Sequence, residues 1–109
     1  MSFAKIYTRG LLGLHAPLIE VEVHVSQGLP SLTIVGLPEA AVRESKDRVR
    51  SAIINSGFQF PTKRLTINLA PADLPKDGSR LDLPIALGIL IASGQIPENV
   101  TDNLEFIGE

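Results

Sequence analysis

The sequence lacks cysteine and tryptophan, and only 5% of its 109 residues are aromatic. The absence of thiols excludes disulfides, thiolate catalysis and cysteine-ligated zinc or iron–sulfur sites. Long hydrophobic runs are also missing: the longest apolar-rich stretch, Leu83 to Ala92, is too short to span a bilayer, and the first residues lack the apolar core of a signal peptide. A net charge of −2 gives no global attraction to nucleic acid or anionic lipid. We therefore predict a soluble cytoplasmic protein that contacts no membrane and binds nucleic acid only through a local patch.

What the sequence does contain is a globular composition, 44% hydrophobic and 20% charged, with alternating strands. "IEVEVHVS" and "LTIVG" are separated by the turn "QGLPS", and together they predict an antiparallel hairpin. The final "LEFIGE" alternates like the start of another strand and ends without a cap, which suggests a chain cut from something longer. The predicted strands cover Phe3 to Gly13, Ile19 to Ser26, Leu32 to Gly36, Arg64 to Leu69, and the residues from Leu104 onward.

Two helices complete a predicted β-β-β-α-β-α-β order. The first opens at Pro38 and stops at Gly57, and the second covers Leu83 to Ser93, stops at Gly94 and is apolar almost all round. This mixture predicts an α+β two-layer sandwich with both helices against one sheet. The first helix is predicted to turn Val42, Ser45, Val49, Ala52 and Ile53 inward and to pair Glu39 with Arg43 and Glu44 with Arg48; the predicted core contains Leu65, Ile67, Leu69, Ile85, Leu87, Ile89 and Leu90.

The loop "LPKDGSRLD" carries the residues nearest to catalytic chemistry, Lys76 and Ser79. A serine–lysine pair needs a buried, neutral lysine, whereas Lys76 lies beside Asp77 in a polar loop and is expected to stay charged. Ser79 is instead predicted to cap the second helix. Arg80, near that helix start, could hold an anion. The local charge is mixed, however, because Asp82 follows two residues later. The sequence has no glycine-rich phosphate-binding motif.

No metal site is predicted. His15 lies in a turn and His24 on the polar face of a strand, and neither belongs to a visible cluster of histidines and carboxylates. Both are expected to face solvent, with His24 near enough to meet an acid on a neighbouring strand.

A candidate for nucleic-acid binding is "GFQFPTKR" together with the helix before it. Phe58 and Phe60 interleave with Lys63 and Arg64, a pattern typical of strips that track a nucleic-acid backbone. The alternative is that both phenylalanines belong to the core, since Asp47 interrupts the strip and the whole chain is acidic. The helix would add Arg43, Lys46 and Arg50.

Two long stretches, "TIVGLPEAAVRESKDRVRSAIINSGFQFP" and "LTINLAPADLPKDGSRLDLPIALGILIASGQI", resemble the N-terminal region of the ComM/YifB group of magnesium-chelatase-like AAA+ ATPases; the resemblance covers Phe3 to Glu109. In that family an N-terminal domain precedes the AAA+ module, and the intact proteins are linked to DNA handling in natural transformation. The resemblance implies that residues 1–109 are a non-catalytic accessory domain serving ring assembly or DNA engagement. It implies no cofactor for this chain, with ATP and magnesium bound downstream. The implied partners are the AAA+ module, neighbouring subunits of a homo-hexamer, and DNA.

The resemblance also implies the fold of the Lon-type protease catalytic domain and of the RadA/Sms C-terminal domain, named after the second domain of a ribosomal protein and here truncated before its last elements. Lon proteases carry P-K-D-G-P-S-A-G. Pro75 to Gly78 match this motif, but Arg80 takes the place of the nucleophile and Ser79 stands one residue early. A slip of one residue at a helix start turns a side chain by about 100°.

The resemblance therefore implies a loop, Asp73 to Asp82, that presents Lys76, Asp77 and Arg80 to a neighbouring domain, a subunit or DNA. Two alternatives remain open. One is a Lon-type serine–lysine peptidase that uses Ser79, and the other is a subunit associated with magnesium chelatase.

Overall fold

The computed structural model of the protein describes residues 2–9, 18–70 and 81–97. They form a four-stranded sheet and two helices, which confirms the predicted α+β class. No helix in these ranges is long and apolar enough to cross a membrane. The predicted strand from Leu104 onward lies outside the described residues, as does the end of the predicted first strand beyond Arg9. In chain order the elements are β1 (Ser2–Arg9), β2 (Leu18–Ser26), β3 (Ser31–Val35), α1 (Glu39–Asn55), β4 (Arg64–Ala70) and α2 (Asp82–Ala92).

The predicted hairpin between β2 and β3 is wrong. The strand order is β1-β2-β4-β3, so β2 pairs antiparallel with β1 and β4, and β3 pairs parallel with β4. The reason lies in the apolar content of the strands. Val23 in β2 and Leu65 and Ile67 in β4 are fully buried, which suits central strands, whereas β3 has a single buried residue, Ile34, which is 7% exposed. The crossover through α1 returns the chain parallel to β3.

Both helices pack on one face of the sheet. On α1, Ser45, Val49 and Ile53 are buried as predicted and Val42 is half-buried, but Ala52 is exposed, so its predicted inward position is wrong. At about 100° per residue, Ser45 marks one edge of the buried face and Ala52 lies about 20° beyond it. On α2 the predicted burial is confirmed for Ile85, Ile89 and Leu90 but not for Leu87, which is half-buried. The predicted residues of β4, namely Leu65, Ile67 and Leu69, are all buried.

Gly88 allows α2 to lie close to the sheet. A β-carbon at this position would stand 2.5 Å from Val23 Cγ2 and 3.6 Å from Ile6 Cγ1. Val23 and Ile6 are almost completely buried in the core, so neither can swing away. The absence of a side chain at Gly88 therefore sets the spacing between α2 and the first two strands.

We expect Gly88→Ala to destabilise the domain by up to about 2 kcal/mol. Alanine favours a helix by roughly 1 kcal/mol over glycine, but overpacking a core costs about 1–3 kcal/mol, and a 2.5 Å approach to the short, stiff Val23 side chain lets the second effect win. Urea denaturation gives the free energy of unfolding. The same substitution in a Val23→Ala background should cost less, because the clashing methyl group is gone; an equal cost in both backgrounds would contradict this account.

Candidate nucleic-acid interface

A cleft of about 850 Å³ opens at the end of the sandwich where both helices finish. Its walls are the last turns of α1 and α2, the beginning of β3 and the connection 58–63 that leads into β4. Segments far apart in the chain meet here because α1 and α2 run in the same direction and end side by side. The cleft is therefore a product of the fold and not of one local motif.

Two glycines end the helices at the cleft, as predicted. Gly57 and Gly94 have positive φ angles of +86° and +82°. The residue after each, Phe58 or Gln95, donates its backbone N–H to a carbonyl five residues back, at 3.1 and 2.8 Å. These are Schellman motifs, which satisfy the last carbonyls of a helix and turn the chain sharply. Both turns direct the following residues along the cleft.

The side chain of Gln95 holds the two turns together. Its Oε1 accepts a hydrogen bond from the backbone N–H of Gln59 at 2.8 Å, and its Nε2 donates to the Gln59 carbonyl at 2.7 Å. Nε2 also donates to Ser93 Oγ at 3.0 Å. The amide thus pairs with Gln59 much as a neighbouring strand would. Because Gln59 stands between Phe58 and Phe60, this pairing fixes the backbone that carries both rings.

Three of the predicted basic contacts lie together in the cleft. Lys46 and Arg50 come from α1 and Lys63 from the end of the connection, and Asp47 is the single acid among the lining residues. The Arg50 guanidinium lies 5.5 Å from the centre of the Phe60 ring, a cation–π distance. The cleft therefore carries net positive charge on a chain whose total charge is negative.

The two phenylalanines have different surroundings. Phe60 is half-buried and packs against the core, in keeping with the core alternative. Phe58 is 36% exposed and lines the cleft, so it offers an accessible aromatic face. Of the two alternatives, the core assignment describes Phe60 but not Phe58.

Arg43 and Arg64 are not among the described residues that line the cleft. Arg43 is exposed one turn before Lys46 on α1, so it extends the basic side of that helix. Arg64 packs its guanidinium against Gly28, where a β-carbon would stand 3.5 Å from Nε. It is an exposed cation outside the cleft.

The remaining candidates, Lys76, Asp77, Ser79 and Arg80, lie outside the described residues, and the predicted Ser79 cap lies there with them. The chain enters that segment after the end of β4 and leaves it at the start of α2. Both points are at the opposite end of the sandwich from the cleft, since α2 is about 16 Å long at 1.5 Å per residue. The cleft itself is built from described residues alone.

The prediction that the loop from Asp73 to Asp82 faces a partner is wrong for Asp82. It is the first residue of α2 and is 3% exposed. Its carboxylate accepts hydrogen bonds from Ser45 Oγ at 2.9 Å and from Arg48 Nε at 2.5 Å. The hydrogen bond to Asp82 raises the pKa of Arg48 above its ordinary value, and Glu44 adds the predicted helical pair at 3.4 Å. Asp82 therefore joins the two helices instead of contacting a partner.

The buried position of Ser45 was predicted from the sequence, but its hydrogen bond to Asp82 was not. A buried serine on one helix and an acid in the first turn of another are compatible in chemistry, yet 37 residues separate them. Only the packing of α1 against α2 brings them together. Ser45 has no exposed surface, so its hydroxyl is out of reach of any substrate.

His24 is half-exposed on the sheet face away from the helices. Its ring centre lies 4.8 Å from that of Phe3, its cross-strand neighbour, and its Nε2 is 3.6 Å from Glu22 of the same strand. The prediction that a neighbouring strand supplies the acid near His24 is therefore wrong, because Glu22 belongs to the same strand. Among the described residues, no group of three or more histidines and carboxylates could hold a metal ion. His15 lies outside the described residues.

Comparison with known proteins assigns the chain to a class. Residues 21–109 match the family model described as subunit ChlI of Mg-chelatase. Because that match covers most of the chain, the protein belongs to this family.

Three individual relatives show which group of proteins within this family the chain resembles. The chain is 61% identical to the uncharacterized protein YifB of Escherichia coli, 55% identical to the competence protein ComM of Haemophilus influenzae, and 39% identical to the uncharacterized protein Rv2897c of Mycobacterium tuberculosis. Each alignment covers 100% of this chain but only 22%, 21% and 22% of the relative. The chain therefore spans about a fifth of these proteins and corresponds to the N-terminal domain of the ComM/YifB type, as the resemblance implied.

Proposed function

We propose that this chain is the non-catalytic N-terminal domain of a ComM/YifB-type AAA+ ATPase and that it engages nucleic acid through the cleft. One observation carries the proposal: Lys46, Arg50 and Lys63 surround a concave surface that also exposes the ring of Phe58. Positive charge attracts the phosphate backbone, and an aromatic face accepts a base. The face of the sheet away from the helices also exposes aromatic rings, Phe3 and Tyr7, but the lysine between them is paired with an acid, Glu20, at 2.6 Å.

The other parts of this proposal rest on the family. ATP and magnesium would bind the AAA+ module downstream, the ring would be a homo-hexamer, and the domain would share the Lon-type fold. The cytoplasmic location stays a prediction. Haemophilus influenzae ComM is named a competence protein, and we extend a role in that kind of process to the whole protein represented here.

The peptidase and chelatase alternatives gain no support from the described residues. The peptidase alternative depends on an accessible hydroxyl at Ser79 beside a general base, and Ser79 lies outside the described residues. The histidines and carboxylates of the described ranges form no metal-binding group. Ser79→Ala would still test the peptidase directly, because hydrolysis that disappeared in this variant would support it.

We expect Lys63→Gln to weaken binding of a labelled single-stranded oligonucleotide several-fold. The slope of log affinity against log salt, which is negative, should become shallower by about 0.7. The physical reason is the loss of one phosphate contact in the cleft. Fluorescence anisotropy over a salt series measures both quantities. Arg64→Gln is the matched control, since it removes the same charge from an exposed position outside the cleft.

Two results would count against the proposal. Equal weakening by Arg64→Gln would show that general charge, and not the cleft, attracts the oligonucleotide. No binding at low salt would leave subunit assembly as the role of the domain.

A further inference from the structure

We infer that the cleft takes a single strand with its bases turned inward, and that Phe58 is the ring on which a base stacks. This inference rests on the proposed function, namely that the cleft binds nucleic acid, and it adds the strandedness and the stacking residue.

The charges of the cleft place the phosphates on its rim. Arg50 and Lys63 are exposed cations at the edge. Both helices end at the cleft, and the carbonyl end of a helix carries about half a negative charge; Asp47, which is exposed, adds a full one on the α1 wall. Phosphates are therefore attracted to the exposed cations, and the apolar interior of the cleft disfavours them, because burying a charge in apolar surroundings is costly.

The floor of the cleft suits a base. It contains the buried apolar side chains of Val25 and Ala92 and the half-buried Leu32, and Ile54 and Phe58 provide exposed apolar surface above them. An apolar floor with cations at its edge matches a strand whose backbone runs along the rim and whose bases point inward. A duplex keeps its bases stacked on one another, and extracting one costs a few kcal/mol. The charge and polarity of the cleft thus favour unpaired nucleic acid over a duplex.

Phe58 is the ring placed for stacking. The Phe60 ring is occupied by Arg50 on one side and by the core on the other, whereas Phe58 is 36% exposed in the cleft. The pairing of Gln95 with Gln59 fixes the neighbouring backbone, so the Phe58 ring requires little further ordering when a base arrives.

The experiment compares three labelled probes on the 109-residue chain: an oligothymidine, an abasic strand of the same length, and a hairpin duplex with the same number of phosphates. We expect the oligothymidine to bind most tightly. Phe58→Leu should weaken that binding about tenfold, as expected for one lost stacking contact, and leave the abasic strand unaffected. Phe58→Trp should restore the affinity. Phe3→Leu is the matched control, because Phe3 is more exposed than Phe58, 48% against 36%, and lies on the opposite face of the sheet.

The outcomes separate this inference from the proposed function. If the abasic strand or the hairpin bound as well as the oligothymidine, or if Phe58→Leu bound normally, stacking in the cleft would be refuted while nucleic-acid engagement stood. If none of the three probes bound, the proposed function itself would fail and this inference with it. Displacement of the oligothymidine by polyglutamate at matched charge would overturn base recognition and indicate an acidic protein segment as the occupant.

Discussion

Replacement of Gly36 by alanine should destabilise the domain by about 3 kcal/mol, through strain and overpacking together. Gly36 follows β3 and has a φ angle of +109°, a backbone conformation that residues with a side chain rarely adopt. A β-carbon there would stand 2.6 Å from the carbonyl oxygen of Leu69 and 3.0 Å from its Cβ. That oxygen belongs to the backbone of the central strand β4, so it cannot move aside as the end of a flexible side chain can.

Gly57→Ala separates the two causes. Gly57 also has a positive φ, +86°, but a β-carbon there would meet nothing within 4 Å. It should therefore show backbone strain alone, about 1 kcal/mol. Urea unfolding of both variants at one temperature provides the comparison. Equal losses would mean that the approach to Leu69 contributes nothing and that φ accounts for the whole effect.

Most elements could be predicted from the sequence because their signals are local. The alternation in β2 and β4, the proline before α1 and the glycines after both helices each act within a few residues. The pairing of β3 is different, since an alternating strand can pair with either neighbour. The better signal was the strand–helix–strand order of β3, α1 and β4, which favours a parallel crossover over a tight hairpin.

The candidate interface could be predicted in part. Helical spacing placed Lys46 and Arg50 on one side of α1, where the structure has them. The cleft itself could not be predicted, because it requires the ends of both helices and the start of β3 to meet. The pairing of Gln95 with Gln59 is of the same kind: 36 residues separate them, and neither carries a motif.

Asp82→Ala should cost about 2–3 kcal/mol of unfolding free energy, because it removes the buried acceptor that joins the two helices. The hydroxyl of Ser45, which is fully buried, would lose its partner in an apolar environment. Arg48 would lose the hydrogen bonds that now raise its pKa, although its partial exposure lets it turn toward water. The loss should therefore come mainly from Ser45 and from the space that the carboxylate vacates.

Three variants test whether the lost stability comes mainly from Ser45 and not from Arg48. Their free energies of unfolding are measured in urea at neutral pH. Asp82→Asn keeps an acceptor for Ser45 Oγ and should cost less than Asp82→Ala. Glu44→Gln removes the exposed partner of Arg48, 3.4 Å away, and should change stability by less than about 0.5 kcal/mol. Ser45→Ala combined with Asp82→Ala should cost less than the sum of the single variants, since the orphaned hydroxyl is then gone. Additive losses would show that Ser45 and Asp82 act independently, and the contact between α1 and α2 would then depend on apolar packing alone.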